Sequence, residues 1–516
     1  MADLIQALRQ PAAYNHPVGV IELIETHISW ILLTGDYAYK LRKPVNLGFV
    51  DFRTPEQRHW FSLEELRLNR RLAPELYLDV CSLHGPVERA HLGGSGAVID
   101  TLVKMRQFPQ SQLLPAVLER GELTAAHLES LAEDLAGFHG GAALAALDSG
   151  FGSAAAVTAP ALANLAVLDQ RAPDRVERLA LEDWTRAEAA RLAEHFQQRL
   201  SLGAVREGHG DLHLGNMFLS PSRIRVFDCL EFSPALRWID VISDIAFLAM
   251  DLRQRGRGDL AGVVLDRWLQ VTGDYAGLRA WRWYWVYRAL VRAKVAALRL
   301  GQTSAVAVVE ASRRELGRYL EVAVATAEAP PGQLVLCHGV SGSGKSHLAQ
   351  RLCHQLGWIR LCSDIERRRL FGRCGRLLAL EPLRGDPYRP ELNARLYGEV
   401  LLNAAELILG AGESVIVDAT FLRRDDRQRF QRLAQGCGAR FHILDCRVRA
   451  EVAAARIVSR RQQGKDPSEA DVDVMRAQWS QREELGGDEL LSTLEVDRNG
   501  ELEGEGWQRL LAQLGA

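Results

Sequence analysis

The chain has 516 residues, enough for about two or three domains that each bury a core of their own. With 47% hydrophobic and 25% charged residues, its composition excludes a fibre and wholesale disorder. The net charge of −2 gives no global electrostatic argument for binding nucleic acid or an anionic membrane.

The N-terminal residues lack the basic-then-apolar pattern of a signal peptide. The longest uncharged run, 149–168, contains two glycines, a proline and an asparagine, whereas a membrane span needs about 20 predominantly apolar residues. The eight cysteines include no C-x-x-C pair, which argues against a zinc ribbon or a disulfide framework. We therefore expect a cytoplasmic protein that has no membrane partner.

The first predicted elements form a small lobe that contains a sheet. Residues 30–41, WILLTGDYAYKL, have the pattern of a β-hairpin with Thr-Gly-Asp at its turn, and a helical stretch follows around 61–72. Only six of the 63 basic residues are Lys, which draws attention to Lys40 on the second hairpin strand, with Lys43 as the alternative. The helical stretch carries the candidate Glu65, with Glu64 as the alternative.

Beyond Leu123 most of the chain is predicted to be helical, with one interruption that carries polar residues. Residues 209–216 read HGDLHLGN, and RVFDCLEF follows after a short connection. A kinase needs a carboxylate that orients or deprotonates the acceptor hydroxyl, and Asp211 suits this role. It also needs oxygen ligands for magnesium, and Asn216 and Asp228 suit that one. The alternative is a His- and Asp-rich turn whose side chains bond their own backbone.

A kinase of this kind also holds the nucleotide's phosphates with a Lys and a helical Glu, so we predict that Lys40 and Glu65 bind ATP. Together these motifs resemble the aminoglycoside phosphotransferase and choline kinase family, over residues 20–300. The resemblance implies a two-lobed protein-kinase-like fold, with Asp211 as the catalytic base. One departure is the stretch ETHIS, which stands where protein kinases carry a G-x-G-x-x-G loop.

The aromatic and basic segment 281–300 reads WRWYWVYRALVRAKVAALRL. Trp281, Trp283, Trp285 and Arg288 offer surfaces that would stack on or grip a substrate. Their helical spacing instead favours a helix that packs its aromatic side chains into the core.

A boundary between two domains is predicted where a helix over 305–327 runs into AEAPPGQ, because Pro-Pro-Gly cannot continue a helix. We predict one domain at 1–328, a Pro/Gly linker at 329–332 and a second domain at 333–516. In the second domain the short strands LVLCHGV, SVIVDAT and ARFHILDC alternate with helices, which indicates a parallel sheet covered on both faces. The fold class expected overall is therefore α/β and α+β, in two domains.

The strand LVLCHGV leads into GVSGSGKS, which matches the phosphate-binding pattern G-x-x-x-x-G-K-S between a strand and a helix. Its backbone N–H groups would curl around phosphate oxygens, and the N-terminus of the following helix adds positive dipole. Lys345 would reach the outer phosphates as a catalytic residue, and Ser346 would ligate magnesium. The residues predicted to bind ATP are Gly339, Val340, Ser341, Gly342, Ser343, Gly344, Lys345 and Ser346.

Two further acidic residues follow the loop. Asp418 ends a predicted strand, where it would hold magnesium or orient a nucleophile. Asp364, in CSDIERRRL, lies where a catalytic base would meet the acceptor hydroxyl, so we predict that it also binds substrate.

Four arginines complete the predicted site. Arg367 and Arg427 are candidates for gripping an anionic substrate, and Arg456 and Arg460 for closing over the γ-phosphate of ATP. For each arginine taken singly, an ordinary solvated surface position is the alternative.

The pattern of GVSGSGKS, SD-x-x-x-R and VDAT makes residues 333–500 resemble small P-loop kinases, such as gluconate-kinase, polynucleotide 5′-kinase and zeta-toxin relatives. The whole chain resembles bacterial fusions described as bifunctional aminoglycoside phosphotransferase-like and ATP-binding proteins. This resemblance implies two kinase sites, each of which uses ATP and Mg²⁺ to phosphorylate a hydroxyl group of a small molecule.

Three alternatives remain at this point. The N-terminal domain would be a binding or regulatory module without turnover, or the C-terminal domain would be an ATPase switch that controls a partner. In the third, the C-terminal domain acts on a nucleic-acid end, which the overall charge does not support. The sequence makes no prediction about the oligomeric state.

Overall fold

The computed structural model describes residues 2–515 apart from 47–50, 95, 173, 176, 222, 301–304, 376, 378–381, 385–388 and 464–469, and it leaves the side chains of 390 and 460–463 undescribed. Up to residue 327 the helices and strands are, in chain order, α1 (Ala2–Leu8), β1 (Glu22–Glu25), β2 (Ser29–Leu33), β3 (Tyr37–Arg42), α2 (Pro55–Asn69), β4 (Tyr77–His84), β5 (His91–Leu92), β6 (Val98–Arg106), α3 (Leu114–Glu119), α4 (Ala125–Gly141), α5 (Ala154–Arg171), α6 (Glu177–Ser201), β7 (Val205–Glu207), β8 (Met217–Leu219), β9 (Ile224–Val226), α7 (Pro234–Arg237), β10 (Trp238–Asp240), α8 (Val241–Gln254), α9 (Gly258–Thr272), α10 (Trp281–Leu300) and α11 (Val306–Ala327).

The rest of the chain alternates strands and helices. These elements are β11 (Gln333–His338), α12 (Lys345–Leu356), β12 (Ile359–Cys362), α13 (Ser363–Leu370), α14 (Pro390–Arg395), α15 (Leu402–Gly410), β13 (Val415–Asp418), α16 (Arg424–Gly436), β14 (Arg440–Arg447), α17 (Ala450–Gln463), α18 (Val472–Gln481), α19 (Gly487–Leu490), β15 (Thr493–Asp497) and α20 (Gly504–Gln513). A π-helical turn, Leu396–Leu401, joins α14 to α15.

The chain divides into two compact units. The first unit comprises Met1–His127, Gly141–Phe151 and Val205–Asp244, and the second comprises Leu128–Gly140, Gly152–Ala204 and Ile245–Ala516. The division of the sequence into 1–328, 329–332 and 333–516 stays a prediction, and helices from both sides of that linker lie in the second unit.

An antiparallel sheet in the order β1-β2-β3-β6-β4-β5 forms the small lobe of the first unit. The predicted hairpin is confirmed as β2 and β3, with Gly35 at φ 100° in its turn. Helix α2 begins at Pro55, earlier than the predicted 61, because Thr54 caps it. The Thr54 hydroxyl accepts from the Gln57 backbone N–H, and the Gln57 side chain accepts from the Thr54 N–H.

The second unit contains a five-stranded parallel sheet in the order β12-β13-β11-β14-β15. The three predicted strands are confirmed as β11, β13 and β14, whereas β12 and β15 were not predicted. The carboxyl ends of β11, β12 and β13 lie together, because neighbouring parallel strands run in the same direction. Loops at this edge of a parallel sheet are where α/β folds place their ligands.

Helices fill the rest of the second unit. Trp281, Trp283, Trp285 and Arg288 of α10 are buried, which confirms the prediction that this aromatic helix packs into a core. Within the described ranges, no helix combines the length and the apolarity that crossing a bilayer requires.

Candidate active sites

The first candidate site lies in the first unit, around the loop 209–216. This loop ends in a short 3₁₀ turn, Leu214–Asn216, and runs directly into β8, which pairs with β9. The pairing brings the Asn216 carbonyl oxygen to 3.0 Å from the Phe227 nitrogen, so Asn216 lies beside the start of the segment that carries Asp228. Asp228 has a φ of 61°, the left-handed region that a non-glycine residue rarely adopts.

Lys40 joins this segment to the small lobe. Its Nζ lies 2.9 Å from Glu65 Oε1 and 2.8 Å from Asp228 Oδ1. Burial alone would lower the pKa of Lys40, but the carboxylates of Asp228 and Glu65 outweigh it and hold that pKa well above its ordinary value. The sequence-predicted ATP-binding pair therefore lies against a predicted magnesium ligand, and Lys40 stays a cation there.

Asp211 is held by its neighbours while its carboxylate keeps access to solvent. The Asn216 side-chain amide donates to Asp211 Oδ2 at 2.9 Å, and His213 Nε2 lies 3.4 Å from the same oxygen. The Asp211 side chain is 28% exposed, so a group in solution has access to it. This is the geometry that a general base requires.

A buried frame fixes the conformation of the loop. Asp244 accepts from the backbone N–H groups of His209 at 2.8 Å and Gly210 at 2.9 Å. The His209 ring bonds the Phe227 carbonyl at 3.0 Å, and burial lowers its pKa, which favours a neutral imidazole. Gly210 has a φ of 85°, and a Cβ there would overlap the Leu236 carbonyl oxygen.

Arg42 is a member of this site that the sequence analysis did not single out. It follows Lys40 by two residues on β3, hence on the same face of the strand. Its Nη2 lies 2.6 Å from Glu65 Oε2 and 2.6 Å from Glu231 Oε1, in a fully buried position. In the sequence, its position two residues after Lys40 on a predicted strand is the signal that would have identified Arg42.

Oxygen ligands suited to Mg²⁺ are present in this site. The Asp228 side chain remains 45% exposed despite its contact with Lys40. Asn216 bonds Asp211 through its side-chain nitrogen, which leaves its amide oxygen for a ligand. The predicted metal residues therefore fit a magnesium ion in their donor chemistry.

The second candidate site lies in the second unit, at the loop between β11 and α12. Gly339, Gly342 and Gly344 have φ values of 138°, 81° and 86°, and a Cβ at Gly342 would approach the Ala453 carbonyl oxygen to 2.5 Å. Glycine is therefore required here by backbone conformation and by the close approach of α17.

Lys345 and Ser346 follow this loop at the start of α12. The Lys345 ammonium donates to the Val340 carbonyl at 2.7 Å, and burial lowers its pKa. The Ser346 hydroxyl donates to Asp418 Oδ1 at 3.0 Å. Asp418 is buried at the end of β13, its Oδ2 has no hydrogen-bond partner among the described residues, and burial raises its pKa. Hydroxyl and carboxylate oxygens in contact fit the donor set of Mg²⁺.

A cavity of about 880 Å³ brings most of the predicted residues together. The predicted residues that line it are Ser341, Gly342, Gly344, Lys345, Ser346, Asp364, Arg367, Asp418 and Arg456. Gly339, Val340 and Ser343 belong to the loop but do not line the cavity. The Arg460 side chain lies outside the described residues, so its predicted role has no structural counterpart here.

The side of the cavity that carries Asp364 and Arg367 is built by α13 and the π-helical turn. Asp364 lies in the first turn of α13, and Arg367 one turn later donates to Asn393 at 2.7 Å. The Tyr397 hydroxyl lies 3.1 Å from the hydroxyl of Thr420.

The prediction that Arg427 grips substrate is wrong. Its guanidinium is fully buried, 2.6 Å from Glu489 Oε1, and it also donates to the Phe421 carbonyl at 3.0 Å. Arg427 is not in the wall of the cavity, which instead contains Arg423 and Arg429 from the same segment. Arg423, Arg427 and Arg429 follow β13 in one segment, and of these the predicted Arg427 points into the core.

Arg498 is a second residue that the sequence analysis did not single out. It follows β15 directly and is buried at 3% exposure, beside the phosphate-binding loop. A Cβ built on Gly344 would lie 3.2 Å from Arg498 Nε and 3.3 Å from Arg456 Nη1, and neither nitrogen has a hydrogen-bond partner among the described residues. Two guanidinium groups with unused donors against this loop are placed to bind an anion.

Replacing Arg498 with Ala is expected to raise the Kd for ATP at this loop about 10- to 100-fold, because a hydrogen bond to a charged group contributes about 1.5–3 kcal/mol. Fluorescence titration with an ATP analogue measures this, in a Lys40→Ala background that removes the phosphate-binding Lys proposed for the other site. Arg509→Ala, at an exposed position on α20, is the control. An unchanged Kd in Arg498→Ala would contradict the assignment.

Two family models match this chain. One, described as the phosphotransferase enzyme family, matches residues 50–284, and the other, described as an AAA domain, matches 334–485. The chain is also 34% identical over 458 residues to the uncharacterized protein Rv2004c of Mycobacterium tuberculosis H37Rv, a match that covers 86% of this chain and 88% of that protein.

Two solved structures are among those that are similar to this chain. A gluconokinase from Sinorhizobium meliloti 1021 is 23% identical with a TM-score of 0.24, and the match covers 36% of this chain and 92% of the other. A choline/ethanolamine kinase family protein from Mesorhizobium loti is 14% identical with a TM-score of 0.35, covering 62% of this chain and 98% of the other. At such TM-scores the family assignment rests on the sequence matches alone.

Proposed function

The chain belongs to a family in which a phosphotransferase domain is fused to a P-loop kinase-like domain, and on that premise we propose that it has two separate kinase sites. It is a phosphotransferase enzyme, with a protein-kinase-like N-terminal fold and a C-terminal P-loop region built on a parallel sheet. Each site would transfer the γ-phosphoryl group of ATP to a hydroxyl of a small molecule, with Mg²⁺ as the cofactor.

The proposal is carried by one observation, which holds at both sites: a Lys that can hold phosphates lies near a carboxylate suited to Mg²⁺, and a further Asp lies nearby for the acceptor. In the first site these residues are Lys40, Asp228 and Asp211. In the second they are Lys345, Asp418 and Asp364, which line one cavity.

The mechanism we propose for the first site rests on positioning. Lys40, held by Glu65, would bind the phosphates, and Asp211 would accept the proton of the acceptor hydroxyl. The acceptor oxygen would attack the γ-phosphorus while the bond from that phosphorus to the bridging oxygen breaks, and ADP leaves. Bound Mg²⁺ would neutralise charge on the phosphate oxygens, with Asn216 and Asp228 as its ligands.

The second site would use the same mechanism of phosphoryl transfer with a different set of residues. The loop N–H groups and Lys345 would hold the phosphates, Ser346 and Asp418 would hold Mg²⁺, and Asp364 would accept the proton of the acceptor.

An anionic acceptor suits the second site. Arg367, Arg423 and Arg429 line the same cavity as Asp364, and guanidinium groups bind phosphate and carboxylate groups at two points. We therefore propose an acceptor that carries both a hydroxyl group and a phosphate or carboxylate group.

Transfer from γ-labelled ATP tests the proposal. The whole protein, Lys345→Ala and Asp228→Ala are assayed with sugars, sugar acids, phosphorylated sugars, aminoglycosides, nucleosides and 5′-hydroxyl oligonucleotides, with Mg²⁺ and with excess EDTA. We expect Mg²⁺-dependent labelling of at least two acceptors, one lost only in Lys345→Ala and the other only in Asp228→Ala.

The other outcomes separate the alternatives. Label that appears only as free phosphate would favour an ATPase switch. If Asp228→Ala changes the transfer to none of the acceptors, the N-terminal domain is a binding module. Labelling of the oligonucleotides alone would identify a kinase for nucleic-acid ends.

A further inference from the structure

Helix α13 presents two different faces within the second unit. Asp364 and Arg367 line the cavity of the P-loop site. Glu366 and Arg369 are buried, and Glu366 lies about 200° around the helix from Asp364 at about 100° per residue. The helix that carries the proposed base is therefore held from its opposite side.

Arg369 attaches this opposite face to the end of α9. Its guanidinium donates to the carbonyl oxygens of Gln270 at 2.6 Å and Val271 at 3.1 Å, and its Nε lies 3.0 Å from Glu366. Carbonyl groups in the last turn of a helix have no partner inside that helix, and a cation is favourable there. The Arg369 side chain thus caps α9 and fixes α13 at the same time.

Tyr275 adds a second attachment. It lies in a 3₁₀ turn, Tyr275–Ala280, and its hydroxyl donates to Glu366 Oε1 at 3.0 Å. Both residues are buried, so the hydrogen bond is shielded from solvent, and a buried carboxylate that loses its donors is costly.

The strand before α13 is held by the same helix. The Arg360 N–H in β12 donates to Asp266 Oδ1 at 2.6 Å, and the Arg360 guanidinium lies 3.4 Å from Gln270 and 4.0 Å from Asp418. Asp418 is the proposed magnesium ligand, so contacts from α9 reach both the acceptor side and the phosphate side of the cavity.

The backbones of α9 and of the end of α12 approach each other closely. A Cβ at Gly262 of α9 would overlap the backbone of Gly357, which ends α12 with a φ of 68°. Nearby, His354 of α12 lies 2.9 Å from Glu129 of α4.

We infer that residues 258–280 form a structural support behind the P-loop kinase site, outside the lining of its cavity, and that Tyr275 and Arg369 are positioning residues for Asp364 and Arg367. Residues 258–280 lie within the range that the phosphotransferase family model matches, 50–284, although they pack against the P-loop region. This inference rests on the proposed function, because it assigns the support to the acceptor side of that same site.

The test compares two matched substitutions in the full-length protein. Tyr275→Phe removes the hydrogen bond to Glu366, and Tyr319→Phe removes an equally long bond, 3.0 Å, from a buried tyrosine to Asp251. Amide hydrogen exchange of residues 363–370 is measured for both variants. Kd for an ATP analogue and the Lys345-dependent transfer rate are measured alongside.

We expect Tyr275→Phe to speed exchange in 363–370 about 10-fold and to lower kcat at the P-loop site about 10-fold, with Kd for the analogue within about twofold. Tyr319→Phe should change none of the three. Unchanged exchange in 363–370, or the same change in both variants, would overturn the inference. If the wild type shows no Lys345-dependent transfer, the proposed function fails, and the exchange comparison alone decides the positioning role.

Discussion

Asp211→Asn is expected to lower kcat at the N-terminal site about 10²- to 10⁴-fold, the range that a general base contributes. The amide cannot accept the proton of the acceptor hydroxyl, yet it has nearly the size and shape of the carboxylate. Its oxygen can still accept the hydrogen bond from the Asn216 amide, so the loop should keep its conformation. Lys40 and Glu65 are untouched, and the Kd for ATP should therefore stay within about twofold.

The substrate for this measurement is the acceptor whose labelling is lost in Asp228→Ala. Initial rates are taken at saturating ATP. Transfer by the P-loop site, assayed in the same preparation, is the internal control because it depends on Lys345. A variant that keeps its N-terminal kcat but loses nucleotide affinity would contradict Asp211 as the base. It would favour a role for the loop in binding alone.

Arg427→Met is expected to lower the free energy of unfolding by about 3–5 kcal/mol, the cost of leaving one charge of a buried pair without its partner. The Arg427 guanidinium bonds both oxygens of Glu489 and the carbonyls of Phe421 and Glu483. These bonds join helix α16 to the segment before β15, so their loss should unfold this part of the second unit first.

Urea unfolding, followed by hydrogen exchange of β13 and α16, measures the effect. Arg423→Met is the matched control, since that side chain is 67% exposed and four residues away. The double substitution Arg427→Met with Glu489→Leu should recover part of the loss, because no unpaired charge is then buried. A change below about 1 kcal/mol, the range of a surface pair, would show that the buried pair contributes little.

The features that the sequence predicted correctly are local ones. The hairpin of β2 and β3 follows from alternation around a Thr-Gly-Asp turn, and the phosphate-binding loop follows from eight consecutive residues. The polar loop 209–216 and Asp228 lie close together because one short hairpin connects them. Such features depend on a few neighbours in the chain, which a sequence pattern records.

The features that it missed depend on neighbours far along the chain. Arg498 lies beside the phosphate-binding loop only because β15 pairs with β14, which in turn pairs with β11. Arg427 and Arg423 belong to one basic run, and nothing in their spacing says which of them faces the core. The contacts of 258–280 with α13 join residues almost 100 positions apart.

The close approach of Gly262 and Gly357 bears on how such a fusion can change over evolutionary time. A recombination event at the Pro-Pro-Gly segment would bring in a foreign P-loop region and keep the native helix α9. Any side chain at either glycine position would then separate the two backbones. Asp266, Gln270 and Tyr275 would also need partners on the incoming strand and helix. The P-loop region and this helical segment are therefore expected to be inherited together, and a chimera of two homologues should be joined before residue 258 and not at the linker.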